Sequence, residues 1–468
     1  MRRAQFSLSN LPAWCMFNNI TFTGVSVADI EARGLGLIAE TNLNNEDDEL
    51  PALLTIPKEL ILSATAVEEY AKENKDFRQL LDVAGHQSLR GDILLFLLTQ
   101  LVLSSPDYTG GQGASTAWTQ YFKLLPNDVP VPTLWTEPEL SLLRGTSLES
   151  AVSAKLVALT KEFNRIRDAT TSLVQWNVLI ETDEAITLSD WILLDALYRS
   201  RSLALPKSGE SMVPCLDLAN HSSPATAYFE ENSKDEVVLL LRQGANVPVQ
   251  DEITIDYGHD KSAAEMLFSY GFIDPVSTAK GIVLPVESME DDPLAKAKLY
   301  VFGSAPTLKI TDSDTGIPQW DAPFIHLMCL NHEDGLHFKV LQETDGSHDL
   351  RMFWQDTDVT GEAGAMGSLI KGHELCHVFR LRAVTVALRM VQQQLEVLAE
   401  ERVLIGSERP HVARAASQLR ALEKDLFERT FRMLEQEKTQ LFEDESVTAY
   451  LAAMNGTRQD DLDEEDFT

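Results

Sequence analysis

The chain has 468 residues with 72 Asp and Glu against 39 Lys and Arg, a formal charge of −33, which excludes a broad nucleic-acid surface because phosphate contacts need clustered cations. A hydrophobic fraction of 44% over this length fits a globular protein with two or three cores. The longest apolar run, Ile93 to Leu103, is broken by Thr99 and Gln100 and is shorter than the roughly 18 residues of a membrane span, so no membrane association is expected.

The opening MRRAQFSLSN holds no apolar stretch long enough for a secretory signal, and a soluble cytoplasmic or nuclear monomer is expected. From Phe22 to Pro57, short apolar segments alternate with glycine and with the polar run Asn42 to Glu49, the pattern of strands joined by turns. Inside it, RGLGLIAE (Arg33 to Glu40) sets Gly34 and Gly36 two apart, so that backbone can approach a ligand where side chains would clash. Helical spacing takes over from Lys58 to about Leu194, with Leu80, Leu81 and Ala84 in one segment and Leu156, Leu159, Phe163 and Ile166 in another, interrupted by the Gly-rich loop Thr109 to Gly113. Val213 to Phe272 returns to strand-like alternation and carries two dense strings, VPCLDLANHSS (Val213 to Ser223) and DEITIDYG (Asp251 to Gly258).

Beyond Pro293, Leu381, Val384, Leu388, Val391, Leu395 and Leu398 follow a three-four repeat on one stripe of a helix. Gly406 and Pro410 punctuate, and Leu419, Leu422, Leu426, Met433 and Leu441 continue on a second helix, which predicts an antiparallel hairpin rather than a persistent zipper. The nearly all-acidic stretch Gln459 to Thr468 reads as a disordered tail. Cys15, Cys215, Cys329 and Cys376 show no CxxC or CxC spacing and no histidine at ligand intervals, so no metal site is expected.

Taken in order, the glycine pair, PELSLLRGTSL (Pro138 to Leu148), YRSRSL (Tyr198 to Leu203), the ANH and DYG strings and KSAAEMLFSYGFID (Lys261 to Asp274) resemble the SET-domain methyltransferases. The branch is the one typified by the plant Rubisco large-subunit lysine methyltransferase, and the likeness runs from about Leu11 to about Phe442. Ala263 stands where that family usually reads an asparagine. The resemblance implies an α+β fold: a SET β-fold with a pseudoknot-like threaded strand, split into residues 11–58 and 196–280 by a helical insertion at 59–195. An all-α substrate-binding domain at 290–455 and the acidic tail at 456–468 would follow.

The resemblance also implies S-adenosylmethionine as cofactor and the lysine of a non-histone protein as acceptor. Methyl transfer to an amine is an in-line displacement, in which geometry and desolvation matter more than strong acid or base groups. Tyr257 is the expected catalytic residue, its hydroxyl accepting from the attacking amine. Main-chain carbonyls of Ser200 and Asp217 would complete the oxygen ring. Gly34, Leu35 and Gly36 would meet the methionine end of the cofactor through backbone, Asn220 its amino-acid zwitterion and His221 its adenine. Arg201 would fork onto its carboxylate, with Tyr270 and Phe272 packed around it. The acidic charge suits a basic protein partner, ribosomal or translation-related. The same family admits an imidazole acceptor, and a SET fold retained as a binding module without activity is the reading from another class.

Overall fold

Two glycine-containing turns and one short parallel bridge decide where the motif-bearing strings end up. The computed structural model describes residues 1–454 apart from 3, 46–50, 109–114, 183–184, 290, 314, 343–347, 401–405 and 407. The Gly-rich loop at 109–113, residues 46–49 of the polar run and the acidic tail at 456–468 therefore lie outside the described residues. The chain separates into a first unit, Met1–Leu140 with Ser150–Lys261 and Glu265–Val276, and a second, Ser141–Glu149 with Ser262–Ala264 and Ser277–Thr468.

In the first unit, β1 (Val25–Ile30) and β2 (Gly34–Ala39) form an antiparallel hairpin in which Ala28 faces Gly36 and Ile30 faces Gly34. Next comes β3 (Leu54–Ile56), then the helix α1 (Leu89–Ser104), capped by the Ser88 hydroxyl accepting from the Gly91 amide at 3.0 Å. Its run of leucines is buried on every side, which is why the sequence shows a continuous apolar stretch rather than a stripe. Helix α2 (Leu188–Arg201) opens on a capping box between Thr187 and Asp190 and runs directly into β4 (Ser202–Leu205), which turns at Gly209 into β5 (Gly209–Met212). Strands β6 (Ala227–Glu231) and β7 (Val237–Leu241) join β3 and Thr21–Phe22 in a separate four-stranded sheet, with β7 between β3 and β6.

The short strand β8 (Glu252–Ile253) pairs antiparallel with β2, Glu252 opposite Ile38 and Ile253 opposite Leu37. Two residues later, Ile255 makes an isolated parallel bridge with His221, its amide donating to the Asn220 carbonyl at 2.9 Å. That bridge lays the ANH and DYG strings side by side.

The second unit contains more sheet than the expected all-helical domain. Strands β9 (Gly281–Pro285), β10 (Thr307–Thr311) and β11 (Gln319–Asp321) form one antiparallel sheet; β12 (Leu336–Gln342), β13 (His348–Trp354) and Thr357–Asp358 form another. The strands are short, and only alternate residues are buried, as Leu308 and Ile310 are around Lys309, so their period is weaker than that of the long helices after them. The expected hairpin is present as α3 (Cys376–Ala399) and α4 (Pro410–Phe442). Leu381, Val384, Leu388, Val391 and Leu398 are buried on α3. On α4 the buried face is Leu419, Glu423, Leu426, Phe427, Thr430 and Leu434, while Leu422, Met433 and Leu441 are only half-buried. The α+β class inferred from the sequence is the class observed.

Candidate active site

The glycine pair has two different reasons to be glycine. Gly34 has φ 77°, the left-handed region that favours glycine, at the turn between β1 and β2. Gly36 is regular strand, but a Cβ there would stand 2.7 Å from Ile30 Cγ1, 2.8 Å from Glu252 Oε1 and 2.9 Å from Asn220 Nδ2. The crowding comes from a polar cluster: Asn220 Nδ2 donates to the Leu35 carbonyl at 3.3 Å and to Glu252 Oε1 at 2.7 Å. Arg33 donates to Glu252 Oε2 at 2.5 Å and also to the His221 carbonyl. One carboxylate thus ties the hairpin turn to the Asn-His segment.

His221 is buried and carries the connection onward. Its Nδ1 accepts from the Tyr257 amide at 3.1 Å, which leaves Nε2 to donate to Asp274 Oδ2 at 2.5 Å. Tyr257 donates its hydroxyl to the Ala219 carbonyl at 2.9 Å, and its own carbonyl accepts from Lys261 Nζ at 2.6 Å and from the Tyr270 hydroxyl at 3.3 Å. Its ring lies 4.6 Å from that of Tyr270 and 5.3 Å from that of His221, and Phe272 stands 5.9 Å from His221, centroid to centroid. Burial pushes the Tyr257 phenol well above its ordinary value and, with Asp256 and Glu210 nearby, pushes Tyr270 up to about 12, so both are neutral hydroxyls at working pH.

A cavity of about 450 Å³ opens beside the Tyr257 phenol, with Tyr198, Ser200, Arg201, Asp217 and Tyr270 among its walls. The side chain of Asp217 is buried. Its Oδ1 accepts from the Tyr121 hydroxyl, which in turn accepts from the Cys215 amide at 2.8 Å, at a residue with φ 69°. Burial raises the Asp217 carboxyl despite the opposing pull of Arg201. Arg201 Nη1 donates to Asp217 Oδ2 at 3.1 Å and to the Asp217 carbonyl at 3.0 Å. Both residues therefore have a partner that the sequence reading did not assign: the buried carboxylate of Asp217 needs a cation, and Arg201 at the end of α2 supplies it. A carbonyl has two lone pairs, so Arg201 leaves the Asp217 oxygen one for an amine.

The expected residues thus form two adjoining groups. Ser200, Arg201, Asp217, Tyr257 and Tyr270 face the cavity. Gly34, Leu35, Gly36 and Asn220 belong to the cluster built on Glu252, and His221 with Phe272 joins the two. Arg33, Glu252, Asp274 and Lys261 sit inside strings already singled out, yet received no role. Nothing in the sequence pointed to Tyr121. The site suits S-adenosylmethionine on one observation: the buried Arg201 Nε has no acceptor among the described residues, a donor available to a carboxylate. The space beside Gly36 is taken by Ile30, Glu252 and Asn220, so that glycine serves packing within the protein.

The geometry sets a phenol beside an Asn-His turn, and comparison with known proteins says what this arrangement is similar to. No family model matches the chain. "SET domain-containing protein 8" of Schizosaccharomyces pombe is 28% identical over 324 residues, covering 68% of this chain and 70% of that protein. The chloroplastic Rubisco large subunit N-methyltransferase of Pisum sativum is 26% identical over 333 residues, 67% of this chain but 62% of that enzyme, under two thirds of its length. The solved SET domain of LSMT bound to lysine and AdoHcy superposes with a TM-score of 0.67 at 21% identity, over 93% of this chain and 92% of that one. The chain is a SET-fold protein resembling the Rubisco large-subunit methyltransferase branch in both sequence and fold.

Proposed function

We propose that this protein transfers a methyl group from S-adenosylmethionine to the side-chain amine of a lysine in a non-histone protein. The observation that carries the reading is the half-buried Tyr257 phenol, fixed by the Ala219 carbonyl and lining the same cavity as Ser200 and Asp217. The names of the pea enzyme and of the lysine-bound SET domain support it.

Bound S-adenosylmethionine supplies an electrophilic methyl carbon. Asn220, with Leu35 and Gly36 beside it, and Arg201 would hold its amino-acid end, as their unused or backbone polar groups allow. Tyr257 and the carbonyls of Ser200 and Asp217 would orient the acceptor nitrogen. Once that nitrogen has lost a proton to water, its lone pair forms the N–C bond while the C–S pair returns to sulfur. Because the Tyr257 phenol stays neutral, it acts by position and needs no titration of its own.

The substrate is a basic protein, ribosomal or translation-related, met in the cytoplasm or nucleus by a monomeric enzyme. The charge of −33 supports electrostatic attraction to such a partner. Incubation with labelled S-adenosylmethionine and a lysate from cells lacking the protein should label one band, and mass spectrometry should place the methyl on lysine. A methyl on histidine would redirect the reading to an imidazole acceptor. Absence of both labelling and binding heat with the cofactor would reduce the chain to an inactive SET-fold module.

A further inference from the structure

Lys261 lines the cavity beside Tyr257, and no role for it follows from the methyl-transfer chemistry described above. Its Nζ donates to the Tyr257 carbonyl at 2.6 Å and stands 5.9 Å from the centre of the Tyr270 ring. The turn that brings it there is closed by its own amide donating to the Gly258 carbonyl at 3.1 Å. Gly258 has φ 126°, and a Cβ on it would come within 2.5 Å of Lys261 Nζ, so the glycine keeps open the path of the ammonium. Among the described residues Lys261 has no ion-pair partner.

The other charged groups around the cavity have partners of their own. Asp195 takes Arg90, Lys155 and Arg199, and Asp217 takes Arg201. Glu210 accepts from the Tyr198 hydroxyl, and Asp256 from the Gly258 amide, with His221 and His259 at its edge. The phenols of Tyr198, Tyr257 and Tyr270 are raised by burial and stay neutral. Lys261 therefore contributes a positive charge to the amine's surroundings that no carboxylate of the described residues cancels by direct contact.

Resting on the lysine-methyltransferase reading, we propose that Lys261 is a positioning residue with two effects. It pins the Tyr257 peptide so that the phenol stays aimed into the cavity. It also lowers the proton affinity of the bound acceptor amine, because a nearby cation disfavours the ammonium form. The amine then sheds its proton to water more readily, and its free lone pair attacks the methyl carbon as the C–S bond breaks. No proton passes to Lys261.

The test compares Lys261→Met and Lys261→Arg with wild type, following kcat from about pH 7 to about pH 10, because kcat reports the groups in the bound complex. Lys261→Met should lower kcat about tenfold with a smaller change in KM, and shift the acidic limb of kcat upward by about 0.5–1 pH unit, since the amine regains proton affinity. Lys261→Arg should keep the limb in place. Cofactor affinity by calorimetry should stay within about twofold in both variants, so that misfolding cannot imitate the result. An active wild type whose limb does not move in Lys261→Met overturns this assignment alone. A wild type with no turnover on any protein overturns the methyltransferase reading, and this inference with it.

Discussion

The loops around Tyr257 and the α3–α4 hairpin are held together by different means. In the hairpin, Val384, Val391, Leu419 and Leu426 are fully buried and act through volume, so any side chain of similar size and polarity would serve. Around Tyr257 the amide, carbonyl and hydroxyl each have a specified partner, namely His221, Lys261 with Tyr270, and Ala219. The hairpin tolerates changes of identity within a periodic pattern. The site depends on direction, and directions are set by residues far away in the chain.

Substitutions should separate these two dependences. The largest effect is expected from Leu426→Ala, which leaves a cavity in the second unit and should lower its stability by about 2–5 kcal/mol in denaturant unfolding. Activity per folded molecule should fall little; a drop matching that of a site variant would break the distinction. Tyr257→Phe should do the reverse, losing about 100-fold or more in kcat, comparable to removal of one oxyanion donor, with a melting temperature close to wild type. Unchanged turnover on a verified substrate would remove Tyr257 from its role.

Tyr121→Phe lies between the two cases. It strips the buried Asp217 Oδ1 of a donor and the Cys215 amide of an acceptor, which should cost about 1–3 kcal/mol. It should also weaken turnover, because Asp217 carries one of the carbonyls proposed to orient the acceptor amine. A variant that is destabilised but fully active would show that the Asp217 main chain is held by other contacts.

The smallest effect concerns pH. Glu423, 1% exposed, accepts from the Ser147 amide at 2.9 Å and from the Ser147 hydroxyl, and burial raises its carboxyl despite those bonds. A carboxyl raised in the folded state stabilises most below its unfolded value and loses that contribution as pH rises through the folded value. Glu423→Gln cannot ionise, so its melting temperature relative to wild type should be higher by about 1–3 °C near pH 7 than near pH 4. A difference of the opposite sign would mean that the bonds from Ser147 outweigh burial.

Much of the hairpin was legible because helix periodicity repeats every three or four residues and needs no knowledge of a partner. The strands β9 to β13 were missed because their alternation is short and their neighbours are helical. In the site, Gly36, Asn220 and Tyr257 stood out through the strings that contain them, whereas Glu252, four residues before Asp256 in one of those strings, gained meaning only when the Asn220 amide and Arg33 were seen to bind it.

Periodicity was enough to determine the hairpin, and the resemblance carried by the short strings pointed to the class of fold and to the segments that meet at the site, because each is written in residues close together. The use of individual lone pairs was decided by tertiary structure. Arg33 reaches Glu252 across 219 positions and Tyr121 reaches Asp217 across 96, and a hydrogen bond depends on where two atoms lie in space rather than on their separation along the chain.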